Sequence, residues 1–111
     1  MDKIYYITLK MDFYGELLTQ KQRDIMARYY FDDYSLNEIA EEYEITRQAV
    51  QDMIKRTEKL LDKYEEKLLL VEKFMKRKDR LNQATKMIDD LIEKGNDELI
   101  QVKDLVSSIL D

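Results

Sequence analysis

Arg47, Gln48 and Gln51 stand within one helical turn of each other, directly after a threonine, in the run Thr46-Arg47-Gln48-Ala49-Val50-Gln51. A guanidinium forms a bidentate pair with the edge of guanine, and a carboxamide can do the same with adenine. Presented from the first turn of a helix, such side chains can enter a DNA major groove. Lys55, Arg56 and Lys59 come later on the same segment, where ammonium and guanidinium groups would meet phosphates. From Thr46 to Leu60 there are four basic and two acidic side chains, so the segment is locally positive. The candidate interface is therefore Thr46, Arg47, Gln48, Gln51, Lys55, Arg56 and Lys59. The same pattern also suits a helix that only packs and touches no nucleic acid.

A second set of cations is denser. Lys73, Lys76, Arg77, Lys78 and Arg80 are opposed only by Asp79, with Phe74 and Met75 interleaved. Lys73, Lys76, Arg77 and Arg80 share one face of a helix by their three- and four-residue spacing. That face could meet a nucleic-acid backbone or an acidic protein surface, or it could simply be solvated.

Other chemistries lack their residues. The chain has neither histidine nor cysteine, which removes the commonest general base, the thiolate nucleophile and the main transition-metal ligands. Gly15 and Gly95, the only glycines, cannot build a phosphate-cradling loop. The adjacent carboxylates Asp32-Asp33, Glu41-Glu42, Glu65-Glu66 and Asp89-Asp90 point about 100° apart on a helix, so they read as solvated surface. No catalytic residue, metal site or cofactor is expected.

The elements that must hold these residues are helices. Among 111 residues, 39% are charged, two are glycine and none is proline. A composition rich in Glu, Lys, Leu and Ile builds helices, and nothing alternates at the two-residue period of a strand. Thr19 with Gln22, and Ser35 with Glu38, have the spacing of capping boxes, and Thr46 can cap the helix after it. Helices are predicted near 3–18, 20–32, 36–43 and 47–64. The third spans two turns before a tight turn and a longer capped helix, which is the helix-turn-helix plan. Ile39, Tyr43, Ile45, Val50 and Met53 supply the apolar contacts of that motif, with Ala40 as the small residue at closest approach. Glu44 falls at the turn, where Gly or Asn is usual, and must accept strain or a different turn.

All eight tyrosines lie at or before Tyr64. Residues 1–66 carry 10 basic and 15 acidic groups, whereas residues 67–111 carry 9 of each. We therefore expect a helix-turn-helix domain over 1–66 and a C-terminal helical hairpin over 67–111, with the join either broken or continuous. In the hairpin, Leu81, Ala84, Ile88 and Leu91 form one apolar stripe, and Leu99, Val102, Leu105, Val106 and Ile109 another. Gly95 suits the end of the first helix, and Asn96 or Asp97 the cap of the second. A partner chain could cover part of each stripe, and a homodimer is expected.

The formal net charge of −5 opposes nucleic-acid binding, and Glu38, Glu41, Glu42 and Glu44 crowd the approach to the reading helix. No apolar run is long enough to span a membrane or form a signal-peptide core, and cysteine is absent, so a cytoplasmic protein is expected.

The stretch LTQKQRDIMARYYFDDYSLNEIAEEYEITRQAVQDMIKRTEKLL, from Leu18 to Leu61, continued by YEEKL, resembles the YlxM family of helix-turn-helix proteins. More distantly it is similar to region four of bacterial sigma factors, which contacts promoters. This chain has Leu69 where family members often have Gly, and Glu44 where they have Asn. The resemblance implies an all-α fold, a sigma-region-four-like helix-turn-helix bundle, and candidate base readers at Arg47, Gln48 and Gln51. It also implies a part in the signal recognition particle pathway, with that particle's RNA or protein as partner. Alternatives to that regulatory reading are a dimeric DNA-binding transcriptional regulator and a protein-interaction adaptor whose helix-turn-helix reads nothing.

Overall fold

The computed structural model describes residues 2–110 and is all-α, with no strand among the described residues. In chain order the helices are α1 (Lys3–Tyr14), α2 (Gln20–Tyr30), α3 (Leu36–Tyr43), α4 (Arg47–Leu68), α5 (Leu70–Glu93) and α6 (Ile100–Leu110). Short 3₁₀ turns at Gly15–Leu17 and Asp97–Leu99 lie directly after α1 and directly before α6.

The helix starts obey local chemistry. Thr19 and Ser35 accept from the backbone N–H groups of Gln22 and Glu38, whose side chains reach back to the Thr19 and Ser35 backbones. Both capping boxes are thus complete, and they satisfy donors that a bare helix start would orphan. Thr46 Oγ1 accepts from Ala49 N–H at 3.0 Å and starts α4 as expected.

The helix ends are less regular than expected. The first helix stops at Tyr14, not 18, and tightens into the 3₁₀ turn. The second stops at Tyr30, because Asp33 turns left-handed at φ 57°. The fourth runs past Tyr64 to Leu68 and breaks at Leu69, which takes φ 54° without being glycine.

By its contacts the chain divides into two compact units, the first ending at Val71 and the second beginning at Glu72. In the first, α4 packs against α1, α2 and α3. It buries Val50, Ile54, Thr57 and Leu61, spaced four, three and four along one face. Ile7, Leu9 and Tyr14 of α1, Ile25 and Met26 of α2, and Ile39 and Ala40 of α3 join this core, as do Leu18 and Val71. Each large aliphatic side chain so buried contributes about 1.5–3 kcal/mol before its lost conformational entropy is subtracted. Of the apolar positions expected in the motif, Ile39 and Val50 are fully buried, whereas Tyr43, Ile45 and Met53 stay partly exposed.

The second unit is a helical hairpin. Lys103 Nζ of α6 meets Asp89 Oδ1 of α5 at 2.8 Å, so the helices fold back on each other. Gly95 turns at φ 100°, and the N–H groups of Gly95 and Asn96 close on the carbonyls of Ile92 and Leu91. The Asn96 side chain, one of the two expected caps, makes no cap hydrogen bond. Its amide donates backwards to the Leu91 carbonyl at 2.9 Å, and α6 is entered through the 3₁₀ turn instead.

Candidate nucleic-acid interface

Three local features set the pose of α4. The turn between α3 and α4 closes with Glu44 left-handed at φ 55° and ψ 44°. Ile45 N–H donates to the Ala40 carbonyl at 3.0 Å, and Glu44 N–H to that of Glu41 at 3.3 Å. This paired closure satisfies the last carbonyls of α3 and turns the chain sharply. Thr46 then starts α4, and Ala40, 8% exposed, lets α3 approach it closely.

The leading residues of α4 are thereby held toward solvent. Thr46, Arg47, Gln48, Lys55, Arg56 and Lys59 are exposed, and Gln51 is half-buried. Gln51 and Lys55 line a cleft of about 150 Å³ with Lys3, Tyr29, Tyr30 and Glu58. Arg47, Lys55, Arg56 and Lys59 have no hydrogen-bond or ion-pair partner among the described residues. Three other cations of this unit are engaged by carboxylates: Lys3 with Glu58, Lys10 with Asp62, and Arg28 with Glu42.

Asp52 joins this surface without having been singled out by residue type. Gln48 Nε2 donates to its Oδ1 at 2.9 Å, one helical turn away. The four-residue Gln–Asp spacing was the available signal. The pair fixes the Gln48 carboxamide and sets a carboxylate within the candidate interface. The acidic approach is also softer than its residue count suggested. Arg28 forks onto Glu42 at 2.7 and 2.9 Å and stacks over Tyr43, 5.4 Å from the ring centre. Glu42 raises the Arg28 pKa further, so that charge is permanent and Glu42 is compensated. Glu38, Glu41 and Glu44 remain exposed.

The second cation set lies elsewhere, on α5 in the hairpin unit. Lys73, Lys76, Arg77, Lys78 and Arg80 are all exposed. Lys76 Nζ lies 3.1 Å from Glu72, and Arg77 Nε donates to the Lys73 carbonyl at 3.4 Å. The structure thus brings the α4 residues together as one surface and keeps the α5 set on a separate unit.

A short α3, a left-handed turn and a capped, outward-facing α4 define a helix-turn-helix protein. Comparison with known sequences agrees. Residues 1–104 match the family described as "Putative helix-turn-helix protein, YlxM / p13 like", UPF0122, and the chain belongs to that family. It is 53% identical to the UPF0122 protein YlxM of Bacillus subtilis over 87 residues, 78% of this chain and 79% of that one. A UPF0122 protein of Bacillus cereus is 47% identical over 109 residues, 98% of both chains. No helix of the described residues is long and apolar enough to cross a membrane.

Proposed function

We propose that this chain is a non-enzymatic regulatory protein that binds nucleic acid through the outer face of α4. Arg47 and Gln48 meet base edges, while Lys55, Arg56 and Lys59 meet phosphates. The observation that carries this is the contrast in pairing. Of the five cations of the unit outside α4, Lys3, Lys10 and Arg28 are engaged by carboxylates and Arg23 by Gln20, whereas Arg47, Lys55, Arg56 and Lys59 are grouped along α4 without partners among the described residues. Grouped like charges repel one another, and a polyanion that releases its counterions on contact is their natural complement. On the strength of the family resemblance, we assign the protein to the signal recognition particle pathway, with that particle's RNA as one target.

A second reading, a protein-interaction adaptor, is favoured by the open surface of Tyr34, Glu38, Glu41 and Glu42 on α3 and its approach. Glu38 and Glu41, exposed there, suit a basic protein and oppose phosphate.

Titration of labelled duplex DNA and of the particle's RNA, each at low and moderate salt, separates the readings. Binding that weakens steeply with salt and is impaired by Arg47→Ala is the expected result. Loss on RNA with Lys76→Ala instead of Arg47→Ala would move the interface to α5. No binding to either polymer at low salt would leave the adaptor.

A further inference from the structure

Among the described residues, no side chain beyond Val71 is fully buried. The hairpin that begins at Glu72 therefore has no sealed core of its own. Each of its helices carries an outward apolar row beside the inward one. Met87 and Leu91 of α5 are 68% and 43% exposed; Leu105 and Ile109 of α6 are 69% and 67% exposed. Contiguous exposed apolar surface favours burial against a partner.

Charge indicates what covers it. Residues 72–86, the stem of the hairpin, hold six basic and two acidic side chains, net +4. Residues 87–104, around its tip, hold six acidic and two basic, net −4. The 24 residues of α5 span roughly 36 Å at 1.5 Å per residue. That length is several times the Debye length of about 8 Å at physiological salt, so stem and tip act as separate poles. Asp89 is engaged by Lys103 inside the hairpin, but Asp90, Glu93, Glu98 and Asp104 are exposed at the tip.

On α5 the basic pole shares a face with the apolar row. Lys73, Lys76, Arg80, Ala84, Met87 and Leu91 recur at three- and four-residue steps, a single stripe that is basic first and apolar later. Ala84, the small residue near its middle, permits close approach.

From these features we infer that the chain pairs with a second copy of itself, hairpin against hairpin and antiparallel. The outer rows of α5 and α6 cover one another, and the basic stem of each copy lies along the acidic tip of the other. Equal and opposite poles on one hairpin suit a two-fold, self-complementary contact, since every stem–tip contact is made twice. A parallel pairing would set stem on stem and tip on tip, and like charges would oppose it. Nucleic acid fits this surface less well. It would meet the tip carboxylates and leave Met87, Leu91, Leu105 and Ile109 uncovered.

The test uses the full chain without nucleic acid, so its result is independent of the α4 reading. Sedimentation equilibrium of the wild type should give twice the chain mass. Reversing the stem (Lys73→Glu, Lys76→Glu, Arg80→Glu) or the tip (Asp90→Lys, Glu93→Lys, Glu98→Lys) should weaken the dimer by roughly tenfold or more. Mixing the two variants should restore it as a heterodimer, because each reversed pole then meets its complement. Met87→Glu should yield a monomer with unchanged helical circular dichroism. A wild type that stays monomeric would overturn the inference. So would reversed variants that dimerise like wild type, or a mixture no tighter than its components.

Discussion

The buried hydroxyl of Tyr14 donates to Glu65 Oε1 at 2.6 Å and accepts from the Leu70 N–H at 3.1 Å. The same Glu65 oxygen accepts from the Val71 N–H at 2.9 Å. These are the first two N–H groups of α5, which begins without a Ser, Thr or Asp cap. A phenol from α1 and a carboxylate from α4 therefore serve as the cap, with the Tyr14 ring seated 5.9 Å from that of Tyr64. That is how α5 restarts immediately after the left-handed Leu69.

Tyr14→Phe removes this oxygen and leaves the ring in place. The Leu70 N–H then lacks its acceptor and Glu65 loses a donor. Stranding a buried polar partner costs about 1–3 kcal/mol. Urea denaturation should show a loss of that size with an unchanged slope, since the exposed area barely alters. An unshifted midpoint would mean that the bond is dispensable.

Alkaline pH should also weaken the fold. Burial, then the bond to Glu65, raises the Tyr14 pKa above its ordinary 10.0. Burial and the bond to Glu58 raise that of Tyr30, and burial that of Tyr43, where Arg28 partly opposes the shift. A raised value in the folded state means that the unfolded chain releases its protons first. The stability from these tyrosines is thus fully present below pH 10.0 and is lost as pH rises toward their folded values. The urea midpoint should hold level up to the ordinary tyrosine range and then fall. Tyr14→Phe should fall less steeply, having one such proton fewer.

The features legible in the chain alone were mostly local. Thr19, Ser35 and Thr46 announce helix starts because a cap needs only partners two or three residues away. Glu44 stands out as left-handed by its place between two capped helices. The elbow at Leu69 was not legible in the same way, because its cap joins Tyr14 to residues 51 and 56 positions on. The Arg28–Glu42 fork was hidden for the same reason, since it crosses from α2 to α3. At the candidate interface, exposure of Arg47 was implied by the cap. The restraint of Gln48 by Asp52 depended on which of several neighbours the carboxamide would choose.

Glu44→Asn should stabilise the protein. A non-glycine residue is strained in the left-handed region, and asparagine less so than glutamate because its short amide can bond locally. The change also removes a carboxylate from the C-terminal end of α3, where the helix dipole disfavours negative charge. Together these should add about 1 kcal/mol, visible as a higher melting temperature. Duplex affinity should rise as well, since one phosphate-repelling group leaves the approach to α4. A more stable variant with unchanged affinity would place Glu44 away from the bound polymer.

Arg47, Lys59 and Asp52 should respond differently if α4 lies against a duplex, and the difference separates reading from attraction. Arg47→Ala should cost about 1–3 kcal/mol on a site that offers guanine, and less on one that does not. Lys59→Ala should weaken all duplexes alike and flatten the dependence of log affinity on log salt by about 1. Asp52→Asn removes a negative charge from the same face, so it should tighten binding to every duplex. Anisotropy titrations across a salt series measure all three effects. If the slope for Lys59→Ala equals that of wild type, its ammonium meets no phosphate, and the contact surface ends nearer Thr46 than the row of unpaired cations suggests.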